Sequence, residues 1–168
     1  MNNKLENIYG KHIMTENSVI TQINNNLFLG SSDSNNIDVI NQYDISLIIS
    51  LLSRDEQYEL NLIETHSTNV INLIYTIEDD PSDVDTMKSH LNAMYPYIFQ
   101  CLNGNKKVLI HCSAGYSRSP TGVMYVLMRF YGMSLGKAQQ LILSKRCIEP
   151  NFGFWMLLVK CEKNGFIN

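Results

Sequence analysis

The sequence has 168 residues, of which 45% are hydrophobic and 17% are charged. These proportions suit one compact domain with a sizeable core. The formal net charge of -3 gives no electrostatic reason to expect a nucleic-acid backbone or an anionic membrane as the main partner. An anionic substrate therefore needs a local positive site.

The N-terminal stretch, residues 1–17, is polar and lacks the apolar run of a secretory signal or a membrane span. We expect a loosely ordered segment there, followed by a single domain over residues 18–168. The four cysteines show no C-x-x-C pairing and no companion histidines at metal-ligand spacing. We therefore expect a protein of the reducing cytoplasm, and also of the nucleus, without a metal site, a cofactor or a membrane anchor.

The order of apolar patterns predicts the fold class. Five short apolar runs are typical of β-strands and lie at residues 19–23, 27–30, 45–52, 70–77 and 107–111. Helical patterns begin at Ile37, cover 84–102, and after His111 occupy 117–131, the stretch from Ser134, and 152–161. This alternation predicts a single α/β domain with a central, largely parallel twisted sheet flanked by helices, its C-terminal helices packed on one side.

The segment KKVLIHCSAGYSRSPTGVMYVLMRF carries the most information about chemistry. It predicts a buried strand, a tight loop from Cys112 to Arg118, and the start of a helix. Successive backbone N–H groups can converge on one anion in a loop that joins the carboxyl end of a strand to a helix N-terminus. The sequence therefore predicts a phosphate cradle.

The side chains of this segment suit phosphoryl transfer. The helix N-terminus and the Arg118 guanidinium favour the thiolate of Cys112, which is its nucleophilic form. Arg118 presents two parallel N–H donors to two phosphoryl oxygens, a geometry that a lysine cannot reproduce. Gly115 relieves the steric cost of an unusual backbone conformation. His111 is placed to orient the loop by hydrogen bonding to its backbone, although a purely structural role stays open.

The run HCSAGYSRS resembles the H-C-x-x-G-x-x-R-S/T signature of the protein tyrosine phosphatase superfamily, and its AGxSRS form is most similar to the dual-specificity branch. ITQINNNLFLG resembles that family's opening strands, IEDDPS its general-acid loop, and CIEPNFGFWMLL its I-x-P-N-x-G-F segment. The resemblance extends from about Val19 to Cys161. It implies a phosphatase-like fold, and the short chain is similar to the small atypical members.

The resemblance also implies roles for individual residues. Cys112 is the implied nucleophile, Arg118 the phosphate binder, and Ser119 the group that assists release of the thiolate. Asn151 is expected to brace the loop through side-chain hydrogen bonds. Backbone amides complete the cradle at Ser113, Ala114, Gly115, Tyr116, Ser117 and Arg118.

The general acid is less tightly specified. The family places an aspartate upstream of the signature, where Asp79 and Asp80 both occur. The order Asp, any residue, Pro, Ser favours Asp79, with Asp83 or Asp85 next in line. Both Asp79 and Asp80 also suit the bland interpretation of turn residues beside Pro81.

The implied substrate is a protein phosphorylated on tyrosine and on serine or threonine. Two alternatives stay open: the same chemistry on a phosphoinositide or an RNA 5′ end, and a non-catalytic phosphoprotein-binding module. Cys147 or Cys101 is a candidate partner for a disulfide that protects oxidised Cys112. Four basic residues are most simply expected on a solvated helix surface: Arg129, Lys137, Lys145 and Arg146.

Overall fold

The computed structural model describes residues 18–60 and 69–166, and the expected N-terminal segment 1–17 lies outside them. Within the described part, five strands form one sheet. They are β1 (Ile20–Gln22), β2 (Leu27–Gly30), β3 (Ile45–Leu52), β4 (Ile71–Thr76) and β5 (Lys107–His111). Their spatial order is β1-β2-β5-β3-β4, with β1 antiparallel to β2 and the other neighbours parallel.

Helices cover both faces of the sheet. Those described are α1 (Ile37–Tyr43), α2 (Arg54–Leu60), α3 (Val84–Asn103), α4 (Arg118–Arg129), α5 (Leu135–Leu143) and α6 (Phe152–Asn164). The last four pack together against one face around the larger apolar core. On the other face α1 contributes Ile40 to a smaller cluster with Phe28 and Leu109. The predicted α/β class and the placement of the C-terminal helices are confirmed.

Buried strands explain why the sheet forms where it does. Helices cover both faces of a parallel sheet, so its central strands are apolar in succession and do not alternate. The residues of β3 follow this rule, since all of ISLIISLL is buried except Ser46, which is half-buried. The polar member Ser50 is fully buried and donates to Asn72 on the neighbouring strand.

The direction of the parallel strands determines which loops are neighbours in space. The carboxyl ends of β2, β3, β4 and β5 lie at the same edge, where Gly30 and Ser50 both pair with His111 and Leu52 pairs with Thr76. The segments that leave these ends are neighbours in space although they are distant in sequence. This edge of the sheet carries the candidate site.

One helix, α2, is absent from the sequence prediction. Its start is nonetheless encoded by the pattern S-R-D-E, since Ser53 N donates to the Glu56 carboxylate at 2.8 Å and Glu56 N donates to Ser53 Oγ at 3.2 Å. This reciprocal pair is a capping box. None of the helices in residues 18–60 and 69–166 is both long and apolar enough to cross a membrane.

Candidate active site

The loop from Cys112 to Arg118, here called the phosphate loop, connects β5 to α4 at the carboxyl edge of the sheet. Five successive carbonyl oxygens of this loop accept hydrogen bonds from donors outside it. Ser113 O accepts from Ser32 N (2.9 Å), Ala114 O from Arg146 Nη2 (3.0 Å), Gly115 O from Arg146 Nε (2.9 Å), Tyr116 O from Glu149 N (2.9 Å) and Ser117 O from Thr121 N (3.1 Å).

These bonds decide where the amides of the phosphate loop point. In a planar trans peptide, the carbonyl and the following N–H point in opposite directions. Carbonyls held outward therefore turn the N–H groups of residues 114–118 inward. Gly115 N shows this directly, because it donates to Cys112 Sγ at 3.2 Å. The loop is a ring of donors around the thiol.

Gly115 makes the ring possible. Its φ is +67°, in the left-handed region that side chains with a Cβ adopt at a cost. A Cβ at this position would also lie 2.7 Å from Gly30 O and would collide with the Arg146 guanidinium. The sequence prediction that glycine relieves an unusual conformation here is confirmed.

Cys112 lies at the bottom of the ring, with 2% of its surface exposed. Ser119 Oγ donates to its sulfur at 3.1 Å from the first turn of α4. A hydroxyl donor at the sulfur stabilises negative charge there, both before attack and when the sulfur departs. The structure thus brings Ser119 to the position that its expected role requires.

His111 is fully buried at the end of β5. One ring nitrogen, Nε2, lies 2.7 Å from Ser50 Oγ and 3.2 Å from Asn35 Nδ2, and the other, Nδ1, lies 3.3 Å from Cys112 O. The imidazole therefore connects the base of the phosphate loop to β3 and to the loop after β2. This geometry fits the orienting role, with a backbone contact at Cys112.

Arg118 is 5% exposed and carries a bidentate ion pair that the sequence did not reveal. Nη1 and Nη2 donate to the two oxygens of Glu56 at 2.6 and 2.8 Å, and Nη1 also donates to Ile77 O at 3.2 Å. The buried Nε has no partner among the described residues. A guanidinium has five N–H donors, so Nε and the second hydrogen of Nη2 stay open toward an oxyanion.

Glu56 stays charged down to low pH. Burial raises its pKa, but the hydrogen bonds from Arg118 and from the Ser53 backbone outweigh that effect and lower the pKa from 4.5 to about 2. In Arg118, burial lowers the pKa, while Glu56, Cys112 and Asp79 raise it. Glu56 therefore fixes the plane of the guanidinium and leaves one edge of it for a ligand.

The two candidate acids occupy different environments within the segment 78–82, here called the acid loop. Asp79 Oδ1 accepts from Ser117 Oγ at 2.6 Å and from Asn151 Nδ2 at 2.8 Å. Asp80 is fully exposed and accepts from the N–H and hydroxyl of Ser82, at 2.7 and 2.6 Å; these bonds lower its pKa. The fold thus brings Asp79 to the phosphate loop, and Asp80 forms a turn.

Asn151 braces the site differently from the expectation. Its side chain contacts the acid loop through Asp79 and caps α6 by accepting from Phe154 N at 3.0 Å. Its contact with the phosphate loop comes from the backbone, since Asn151 N donates to Ser117 Oγ at 3.0 Å. Gly153 permits this approach, because a Cβ there would lie 2.8 Å from Pro81 Cα.

Similarity to known proteins identifies the family. A family model described as the catalytic domain of dual specificity phosphatases matches residues 27–164. The chain belongs to the dual-specificity phosphatase family. It is 29% identical to dual specificity protein phosphatase 1B of Arabidopsis thaliana over 147 residues, which are 86% of this chain and 83% of that protein. Tyrosine-protein phosphatase vhp-1 of Caenorhabditis elegans is 30% identical over 145 residues, 85% of this chain but 21% of its own length.

Solved structures agree with this phosphatase assignment. Human DUSP28 superposes with a TM-score of 0.75 at 26% identity, over 87% of this chain and 94% of that chain. The human tyrosine phosphatase-like serine/threonine/tyrosine-interacting protein superposes with a TM-score of 0.65 at 27% identity, over 85% and 95% of the two chains. The fold expected from the signature is therefore that of known phosphatases.

The rim of this phosphatase site is acidic. The acid loop and its neighbour Asp83 line a cavity of about 380 Å³ with the side chains of Glu78, Asp79, Asp80 and Ser82. On the phosphate loop itself, Tyr116 donates to Glu149 at 2.9 Å. That hydrogen bond, with the nearby carboxylate charge, raises the pKa of Tyr116 to about 12. Carboxylates of the acid loop and of Glu149 therefore lie beside the phosphate loop.

Two basic residues differ from the sequence prediction. Arg146 is 3% exposed and reaches the phosphate loop, so its assignment to a solvated surface is wrong. Arg129 is half-buried and stacks over the Tyr95 ring at 4.0 Å. Lys137 and Lys145 are exposed as expected. Arginine is misjudged here because its buried partners are rings and backbone carbonyls, which composition does not reveal.

The cysteines outside the phosphate loop divide by position. Cys101 lines a cavity with Ser46 and Lys106, at the edge of the sheet opposite Cys112. Burial raises the pKa of the Cys101 and Cys161 thiols, which keeps them protonated. Cys147 is half-buried beside the Tyr116 hydroxyl. Of the two expected disulfide partners for Cys112, Cys147 is therefore on the correct side of the molecule.

Proposed function

We propose that this protein hydrolyses phosphate monoesters on tyrosine and on serine or threonine of proteins, through a cysteinyl-phosphate intermediate. One observation carries the proposal. Cys112 Sγ lies at the centre of a ring of inward amides, with donors 3.1 and 3.2 Å away. A thiolate in such a ring is placed to attack phosphorus while the ring binds the phosphoryl oxygens.

In the first step, the Cys112 thiolate attacks phosphorus and the bond from phosphorus to the ester oxygen breaks. The leaving oxygen takes a proton from the carboxyl group of Asp79. Oδ1 of Asp79 is occupied by Ser117 and Asn151, which leaves Oδ2 to hold that proton. Loop amides and the open edge of Arg118 bind the three phosphoryl oxygens.

In the second step, water attacks the phosphocysteine and gives its proton to the Asp79 carboxylate. The bond from sulfur to phosphorus breaks, inorganic phosphate is released, and the sulfur leaves as a thiolate. Ser119 Oγ, 3.1 Å from the sulfur, stabilises the departing charge. The cycle returns a protonated Asp79 and a thiolate, so it needs neither an oxidant nor a second substrate besides water.

The acidic rim supports a protein substrate over a polyphosphorylated one. A headgroup with several phosphates would come close to the carboxylates of Glu78, Asp80 and Asp83, and the described residues that line their cavity include no cation to balance them. A phosphorylated peptide places one phosphate in the ring, and the residues on either side of that phosphate can be ones that suit the acidic rim. The acidic rim likewise disfavours the polyanionic chain of an RNA.

Turnover tests the proposal against the binding-module alternative. Purified protein is assayed for phosphate release from phosphotyrosine and phosphothreonine peptides, with Cys112→Ser beside it and Cys101→Ser as the matched control at the opposite sheet edge. We expect turnover of both peptides, loss in Cys112→Ser and retention in Cys101→Ser. Tight phosphopeptide binding without phosphate release would instead establish a binding module.

Full activity in excess EDTA is expected. Loss of activity in EDTA that a divalent ion restores would contradict the metal-free route.

A thiolate nucleophile also implies a reducing compartment, and we propose the cytoplasm and the nucleus. Mild peroxide should inactivate the enzyme reversibly, with activity restored by a thiol reductant. If a thiol reductant does not restore activity even after the shortest exposures to peroxide, oxidised Cys112 is not protected. If activity is restored, the same measurement on Cys147→Ser shows whether the neighbouring thiol supplies the protection.

A further inference from the structure

Arg146 lies behind the phosphate loop, between α5 and α6 in sequence. Its guanidinium spans two successive loop carbonyls, with Nε 2.9 Å from Gly115 O and Nη2 3.0 Å from Ala114 O. Nη1 donates to Ser18 O at 2.6 Å and lies 3.4 Å from Thr21 Oγ1. All three nitrogens of the side chain are thus committed to fixed acceptors.

These bonds hold two of the five outward carbonyls of the ring. The peptide planes that carry Ala114 O and Gly115 O also carry the N–H groups of Gly115 and Tyr116. Arg146 therefore aims two adjacent amides into the cradle. One of them is the amide that contacts Cys112 Sγ at 3.2 Å. No other side chain of the described residues holds two carbonyls of this loop.

The positive charge of Arg146 matters as well as its hydrogen bonds. The charge of Arg118 is already paired with Glu56 at 2.6 Å. Within residues 18–60 and 69–166, no carboxylate lies within ion-pair distance of Arg146. A buried cation without a carboxylate partner interacts strongly with any anion nearby, because the local dielectric is low. The anions that this site holds are the Cys112 thiolate and the bound phosphate.

We infer that Arg146 is a positioning residue of the phosphatase reaction, which aims the Gly115 and Tyr116 amides into the cradle and supplies the uncompensated positive charge behind the Cys112 thiolate. Its role differs from that of Arg118, since it binds the loop from outside and contacts no substrate. The inference rests on Cys112 as the proposed nucleophile.

The effect of Arg146 on the Cys112 thiolate adds to the effects of the other groups around the sulfur. Ser119 from α4 and the Gly115 amide touch the sulfur, and His111 precedes it on β5. Charged neighbours are Arg118 with its partner Glu56, Asp79 on the acid loop, and Arg146. Arg146 and Cys112 interact electrostatically, while burial of the Arg146 guanidinium lowers its pKa. Removal of Arg146 therefore subtracts one positive charge and also frees the peptide plane of the Gly115 amide that contacts the sulfur, so a variant that keeps the charge is needed to separate the two effects.

The test compares Arg146→Lys, which keeps the charge but loses the paired donors, with Arg146→Gln, which loses the charge. Lys145→Gln is the matched control, because it removes the same charge from the adjacent exposed position. Two quantities are measured for each: kcat on a phosphopeptide, and the rate of Cys112 alkylation by iodoacetamide as a function of pH, with the site confirmed by peptide mass. Alkylation needs no turnover, so it remains informative if the proposed hydrolysis is wrong.

We expect kcat to fall about 10- to 100-fold in both Arg146 variants, since misaimed donors are costly in a preorganised site. Alkylation should require higher pH in Arg146→Gln than in wild type, because the positive charge behind the sulfur is lost, and should stay closer to wild type in Arg146→Lys. Lys145→Gln should match wild type in both quantities. A folded Arg146→Gln with the wild-type alkylation profile would overturn the charge assignment. If Arg146→Gln does not fold, Arg146→Lys decides, and a wild-type kcat there would overturn the positioning role.

Discussion

The phosphate loop and the acid loop, which meet at the proposed reaction centre, are held in opposite ways. In the phosphate loop, five carbonyls are bonded to donors from outside it, and Cys112, Ser117 and Arg118 are each at most 5% exposed. In the acid loop, Glu78, Asp79 and Asp80 are exposed. Two side-chain hydrogen bonds at Asp79 join it to the rest of the site.

This difference separates the two halves of the chemistry. The cradle and the nucleophile are fixed by the same burial that stabilises the domain, so every phosphate monoester meets the same geometry. The acid is carried by a solvated segment, and in the first step it matters in proportion to the proton demand of the leaving group. Changes to the phosphate loop should damage both steps on all substrates, whereas changes to the acid loop should slow the first step only with poor leaving groups and the hydrolysis step with every substrate.

Cys112→Ser should have the largest effect on the cradle side. An alcohol in this position stays protonated and is a poor nucleophile, so turnover should vanish on every substrate while binding of inorganic phosphate or vanadate persists. The comparison is made by kinetics and by isothermal titration. Appreciable turnover in the serine variant would remove Cys112 from its assigned role.

Arg118→Ala should lower kcat by about 10³–10⁵-fold, the range for arginines that stabilise transferring phosphoryl groups. Arg118→Lys should be nearly as poor, because one ammonium cannot pair with Glu56 and also present two parallel donors to phosphate. Arg54→Ala, an exposed change on α2, controls for loss of one charge. Near-normal turnover of the lysine variant would contradict the fork geometry.

Asp79→Asn should lower kcat by about 10²–10⁴-fold on an alkyl phosphate such as a phosphothreonine peptide, with little change in KM. On a good aryl leaving group, formation of the phosphocysteine in the first turnover should slow little, and this contrast sets the acid loop apart from the cradle. Its hydrolysis, in which Asp79 accepts the proton of water, should slow with both substrates. The basic limb of the pH profile should also disappear on the alkyl substrate. Asp80→Asn is the matched control, and a larger defect there would move the acid by one residue.

Glu56→Gln should give the smallest effect, and its signature lies in acid stability. The pKa of Glu56 is lowered from 4.5 to about 2, so its contribution to stability is fully present above about pH 4.5 and is lost as pH falls toward 2. The variant should be less stable at neutral pH and should lose less free energy of unfolding across this interval. Urea unfolding at several pH values measures it, with the exposed Glu59→Gln as control. Equal pH slopes in variant and wild type would contradict the ion pair.

The sequence predicts the phosphate loop and its neighbouring strands better than it predicts the residues that hold the loop side chains in place. The bounds of β2, β3 and β5 agree with the apolar runs, because parallel strands buried on both faces are continuous in hydrophobicity. The loop and its thiol follow from one contiguous signature. The partner of Arg118 does not, because Glu56 is 62 residues away and meets it only when the parallel strands are aligned.

For α2, which the sequence analysis did not predict, a short-range sequence signal exists. The capping box at Ser53 and Glu56 marks the start of α2, although its seven residues are too few for a convincing helical period. Arg146 offered no such signal. Its acceptors are backbone carbonyls of Ala114 and Gly115, and carbonyl direction is not encoded in residue type.

Detection of the phosphorylated enzyme is the decisive test of Cys112 as the nucleophile. Ser119→Ala removes the donor that lies 3.1 Å from the sulfur, so breakdown of the intermediate should slow more than its formation. The variant is mixed with an aryl phosphate, quenched in acid within milliseconds, and analysed by intact mass and peptide mapping. The proposed mechanism predicts a near-stoichiometric phosphate adduct on Cys112, absent from Cys112→Ser. Turnover without any adduct on Cys112, or an adduct on another residue, would contradict it.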